Sequence, residues 1–187
     1  MGLADDRAPA AVAQSSPAAA VMRINKPAKL LGTWTESVDR VLRGHAEQDM
    51  SNAKKLLNAG PTSAMGTAYV RAQEVPSGAD GLYIPGDDQR VILISAVSGT
   101  ITDPTAALDR MFGGLPNITD VAPIRAGALG GVAACGAAQG KKGIPVDFCA
   151  WSDPHTLGMV TFIGFANTDD PHGVFGQIRT ELEQPTR

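Results

Sequence analysis

Cysteine is scarce in this chain: Cys135 and Cys149 are the only two, and aromatic residues make up 5% of the 187 positions. Two cysteines without nearby ligand spacing form neither a structural zinc site nor a Cys-x-x-Cys redox centre. Charge of one sign is also lacking, because the formal net charge is only −3. The lysines Lys26, Lys29, Lys54, Lys55, Lys141 and Lys142 are scattered and not interleaved with an aromatic platform. Nucleic acid and anionic membrane surfaces are therefore not expected as partners. No apolar run approaches a membrane span, and the N-terminus has no basic region followed by an apolar core. Ser98-Gly99 is preceded by Ala96-Val97, so the Gly-x-Ser-x-Gly nucleophile elbow is missing as well.

With hydrophobic residues at 43% and charged ones at 19%, the composition is that of an ordinary globular protein. Arg7 to Val21 is rich in Ala, Pro and Ser and contains no aromatic residue, so it contributes little to a core. Residues 1–24 read as a flexible linker or a remnant of expression, and 25–187 as one domain. Met1-Gly2-Leu3-Ala4-Asp5-Asp6 reads as the cut end of a longer chain, with any export signal or membrane anchor lying upstream.

The apolar periodicity predicts a strand over Lys29–Trp34 and a helix from Glu36 or Ser37 to Asn58, capped by Thr35. Strands follow at Met65–Ala72 and Arg90–Val97, the second so continuously apolar that it belongs in the middle of a sheet. Leu82-Tyr83-Ile84 between them is a loop or an extra edge strand. Asp103-Pro104 opens a short helix that Gly113-Gly114 closes, and Asp169 or Asp170 with Pro171 opens the last one. Four strands separate these helices, at Ile118–Ile124, 129–136, 144–151 and Leu157–Phe165, with Ser152–Thr156 as a hairpin tip. The fold class is α+β, a single domain whose mainly antiparallel sheet is covered by about three helices, with helices expected on one face.

Each cysteine sits in one of two apolar segments joined by the turn-rich Gln139-Gly-Lys-Lys-Gly143. Neighbouring strands would bring Cys135 and Cys149 together as one disulfide; the alternative is two buried thiols in a cytosolic core. Trp151 lies two residues beyond Cys149 and shares its strand face, so packing near the bridge is its expected role.

Catalytic spacing is weak. Ser152, Asp153 and His155 gather on a turn, but nucleophilic catalysis needs an oriented base within hydrogen-bond reach, which proximity in sequence does not supply. Asp153, His155, Asp169, Asp170 and His172 could be assembled into a cation site, yet no metal-binding spacing is present and helix initiation already accounts for Asp169 and Asp170. Gly127-Ala-Leu-Gly-Gly131 lacks the Gly-Lys-Ser/Thr of a phosphate loop, and a strand follows it where a helix would be needed. No catalytic residue, metal or cofactor is assigned. Trp34, Tyr83, Asp153 and His155 are the candidate binding residues.

Asp103-Pro-x-x-x-Leu-Asp109, Ile118-Thr-Asp-Val121, Gly127-x-Leu-Gly-Gly-x-Ala-x-Cys135, Val146-x-x-Cys-Ala-Trp-x-Asp153 and Gly158-x-Val160, followed by a terminal helix, form a combination over about half the chain. In that combination the chain resembles an uncharacterised family of actinobacterial exported or membrane-anchored proteins. The resemblance implies an extracytoplasmic domain with its two cysteines paired, held at the cell envelope through a membrane segment this chain does not carry. The expected function is non-catalytic binding or assembly with a protein partner, at the envelope or outside the cell. The alternatives are a metal-assisted hydrolase and a structural subunit of an intracellular complex.

Overall fold

The computed structural model describes residues 21–71 and 88–186, with two short strands at 75–77 and 82–84 between them. In chain order the elements are β1 (Met22–Ile24), β2 (Lys29–Leu30), β3 (Trp34–Glu36), α1 (Arg40–Lys54), β4 (Ala59–Val70), β5 (Val75–Ser77), β6 (Leu82–Ile84), β7 (Val91–Thr100) and α2 (Pro104–Gly113). β8 (Thr119–Ile124), β9 (Val132–Gln139), β10 (Pro145–Ser152), β11 (Thr156–Ile163), α3 (Pro171–Leu182) and β12 (Glu183–Pro185) complete them. Eight strands form one sheet in the order β2-β3-β4-β7-β11-β10-β9-β8, antiparallel at every pairing. β1 pairs with β12, and β5 with β6, as two separate ribbons. The fold is α+β, as expected, and Leu82–Ile84 is a strand.

β7 occupies a central position because it offers an apolar residue to both faces. Ile92, Ile94 and Ala96 join the larger core with Trp151, Phe162 and the α3 residues Phe175, Ile178 and Leu182. Val91, Leu93 and Val97 instead meet residues of α1 and α2. The helices are thus split, α1 and α2 on one face and α3 on the other. The expectation of helices on a single face fails because a doubly apolar central strand needs cover on both sides.

Three local expectations are corrected. Leu31 and Gly32 both have positive φ and turn Lys29–Trp34 into a hairpin, where one strand was expected. Thr35 does not cap α1, because it is paired in β3 and Ser37 N still donates to Ala68 O on β4. Asp39 takes over, its Oδ1 accepting from Val41 N at 2.7 Å and Leu42 N at 3.1 Å. α1 also ends at Lys54 rather than Asn58, since the amides of Lys55, Leu56 and Leu57 bond three residues back. Asp103 caps α2 and Asp170 caps α3, each with proline at the first helical position. β1 lies within the stretch read as linker, and its Ile24 is buried in the core.

Cys135 and Cys149 face each other directly across β9 and β10 and form a disulfide, with Cα atoms 4.1 Å apart. That spacing belongs to the close, non-hydrogen-bonded type of antiparallel pair, which brings opposed side chains together. Among the described residues, no helix is long and apolar enough to cross a membrane.

Candidate functional site

The hairpin tip that carries Asp153 and His155 is devoted to structure. Asp153 Oδ1 accepts from His155 N at 2.7 Å and Thr156 N at 2.8 Å, while Oδ2 accepts from the Thr156 hydroxyl and from Arg179 Nη2 at 2.9 Å. The carbonyls of Pro154 and His155 accept from Ile101 N and Gly99 N, which ties the tip to the end of β7. Ser152 Oγ is buried with no hydrogen-bond partner among the described residues, and His155 is half-buried on the turn. Both oxygens of Asp153 are therefore committed, and a base to orient beside Ser152 is not assembled from these residues.

Arg179 is the centre of this network and was not singled out in the sequence. Its Nε donates to Glu183 Oε1 at 2.8 Å and its Nη1 to the carbonyls of Ala126 and Gly130. The guanidinium carbon sits 5.7 Å from the centre of the Trp151 ring, whose Nε1 donates to Thr156 Oγ1. The glycine-rich stretch 127–131 and the residue before it thus present the Gly130 and Ala126 carbonyls to a cation, the opposite polarity to a phosphate loop. Gly131 has φ +81°, and a Cβ there would collide with the Ser152 carbonyl, so glycine is needed for the close approach. Burial pushes the Glu183 carboxyl up, with Asp153 adding to the rise, against the opposing bonds from Arg179 and Thr156.

Trp34 is not exposed. It is 5% accessible, stacks on Phe165 at 5.7 Å between ring centres, and lies under the Arg90 guanidinium. Arg90 is bracketed by Asp88 and Asp169, and the bonds from Arg90 hold the Asp88 carboxyl below its ordinary value. Asp169 also accepts from Ala166 N, and Asp170 accepts from Gly173 N, so both acids are engaged locally. Tyr83 lies on β6 opposite Pro76, and its side chain is outside the described residues.

The groups left over converge elsewhere, between α1 and α2. α1 is drawn tightly onto β4 and β7: Ser95 Oγ donates to Ala46 O at 2.9 Å, and a Cβ on Gly66 would lie 2.7 Å from the same carbonyl. α2 anchors one strand pair away, where Leu108 and Phe112 pack with Ala134, Ala150 and Met159. Two helices seated on different strands leave a gap above the β7–β11 seam. Ser95 and Met159 on those two strands are direct cross-strand partners and line this gap.

The resulting cleft is open to solvent on one side, where Arg110 is exposed, and has a volume of about 190 Å³. Its apolar lining comes from Leu56, Met111, Leu115 and Met159, and its α1 wall also carries Asp49 and Asn52 while its α2 wall carries Arg110. Burial pushes the Asp49 carboxyl up, and His45 one turn earlier offsets part of that rise. Among the described residues, neither the Asp49 carboxylate nor the Arg110 guanidinium makes a hydrogen bond or an ion pair. Opposite charges on facing walls above a methionine-containing floor suit a small amphipathic group, because methionine adapts to irregular apolar shapes. Sequence reasoning missed this cleft. Asp49 and Arg110 are 61 positions apart on different helices, and only the sheet beneath brings them together. No family model, curated protein or solved structure matches the chain.

Proposed function

We propose that this is an extracytoplasmic, non-catalytic binding domain that takes an apolar anchor residue of a protein partner into the cleft between α1 and α2. The observation that carries this reading is the pair of opposite charges, Asp49 and Arg110, on facing walls of a largely apolar cleft, neither paired among the described residues. Cavity size selects the occupant. Pockets for drug-sized ligands run to roughly 300–1,000 Å³, whereas this cavity of about 190 Å³ suits one side chain. Protein interfaces concentrate their binding energy in such anchors. The flanking charges call for a basic neighbour on the Asp49 side of the anchor and an acidic neighbour on the Arg110 side. The disulfide supports an oxidising compartment, since cytosolic thiols are kept reduced.

Selection from a displayed peptide library tests this directly. The selected peptides are expected to carry an apolar residue between a basic and an acidic one. Selection against the doubly swapped variant, Asp49→Lys with Arg110→Glu, is expected to reverse the charge order. Peptides whose sequence is indifferent to that swap would overturn the reading.

A further inference from the structure

We propose that the protein with its disulfide reduced holds a soft divalent cation, of which zinc is the commonest, through Cys135 Sγ, Cys149 Sγ and a ring nitrogen of His172. These three donor atoms already lie within 4.8 Å of one another. They come from β9, from β10 and from the second residue of α3, so the site is set by how the helix lies on the sheet and not by sequence spacing. Asp147 lies two residues before Cys149, on the same face of β10. Among the described residues, neither His172 nor Asp147 makes a side-chain hydrogen bond, so no structural role occupies them.

While the two sulfurs are bonded to each other they carry no thiolate charge and do not ligate. Reduction by a dithiol breaks the S–S bond, gives two Cys–SH groups and leaves the dithiol as its own disulfide. The cation then displaces the two thiol protons to solvent and forms two metal–sulfur bonds, with no change in its own oxidation state. Zn–S bonds of about 2.3 Å in a tetrahedral site place the sulfurs about 3.8 Å apart. Sulfurs carried on opposed Cβ atoms of paired strands reach that separation by rotation about the Cα–Cβ bonds, so the 4.1 Å Cα spacing need not change. Two thiolates cancel the charge of a divalent ion, which suits a position where both cysteines are buried. His172 is exposed and closes the site from the solvent side.

The test uses the full chain, reduced with a phosphine and titrated anaerobically with Co²⁺ alone. One equivalent is expected to give thiolate-to-cobalt charge-transfer absorption, which Zn²⁺ removes and which the bridged protein never gives. His172→Ala is expected to weaken Co²⁺ binding by at least the roughly 10–100-fold that even an outer-shell partner is worth. Circular dichroism on the same samples covers the case in which reduction unfolds the chain: refolding on adding Zn²⁺ is then the expected result. A folded reduced protein without the absorption, a reduced protein that stays unfolded with Zn²⁺, or binding unchanged by His172→Ala would each overturn the proposal.

Discussion

Arg179 and Asp153 form an ion pair at 2.9 Å with side chains only 1% and 8% accessible, which joins α3 to the tip of the β10–β11 hairpin. The guanidinium makes four hydrogen bonds, to two carboxylates and two loop carbonyls, with all three nitrogens engaged, and so it fixes where the 126–130 loop lies. Replacing it by methionine would keep much of the volume but leave Asp153 and Glu183 buried without a cation. Removing one partner of such a buried pair costs about 3–5 kcal/mol. Urea unfolding of Arg179→Met is expected to show a loss of that size, and a loss below about 1 kcal/mol, the scale of an exposed pair, would show that the network is not holding α3.

Glu183 sets a pH dependence. Its Oε2 is buried without a hydrogen-bond partner among the described residues, and burial raises the carboxyl above its unfolded value near 4.5. A raised carboxyl favours the protonated folded state, so its contribution is fully present below the unfolded value and is lost as pH climbs through the folded one. Glu183→Gln removes that loss. Relative to wild type, the variant is expected to gain stability between acid and neutral pH, measured as the difference in urea midpoint at the two ends. Asp88 works in the opposite sense, because Arg90 lowers it and its contribution disappears as pH falls through the folded value. Parallel pH profiles for wild type and Glu183→Gln would contradict the assignment.

Trp151 lies across Gly158, its direct partner on β11. A Cβ at 158 would occupy the space of the indole ring, so Gly158→Ala must displace it and break the bond from Trp151 Nε1 to Thr156. Overpacking of this kind costs about 1–3 kcal/mol. Tryptophan fluorescence and thermal unfolding are expected to change together in the variant. A shift in neither would mean that the ring is free to move aside.

The bridge carries both a stability and a location prediction. Cys135 and Cys149 are 14 positions apart, and closing a loop of that size stabilises by roughly 3 kcal/mol. The double variant Cys135→Ala/Cys149→Ala is expected to lose about that amount. Intact mass after alkylation without reduction, taken on medium, envelope and cytosolic fractions of the producing cells, is expected to find the bridged species outside the cytosol. An unbridged cytosolic species would return the cysteines to the role of ordinary core thiols.

Much of the fold was legible because local chemistry announced it. Asp103-Pro104 and Asp170-Pro171 start their helices, the run from Val91 to Val97 lies mid-sheet, and the apolar segments around Cys135 and Cys149 pair as neighbouring strands. Thr35 misled because strand pairing consumed it before it could cap anything. β1 and β12 were missed because each is three residues long and has only the other to pair with. The site was far less legible. Asp153 looked available on a turn, yet its availability depended on Arg179, 26 residues later, and no local pattern reports that partner. No local pattern singled out Asp49 or Arg110, and His172 entered only a cation grouping that lacked metal-binding spacing. What distinguishes them is the sheet surface on which their helices rest.

The most direct test of the binding account is amide chemical-shift mapping of the bridged protein with a peptide that carries an apolar residue between a basic and an acidic one. The account predicts shifts concentrated at Asp49, Asn52, Arg110, Leu115 and Met159, and their loss when Met111→Trp fills the cleft. Shifts centred on the β1–β12 ribbon, or shifts that survive Met111→Trp, would contradict it.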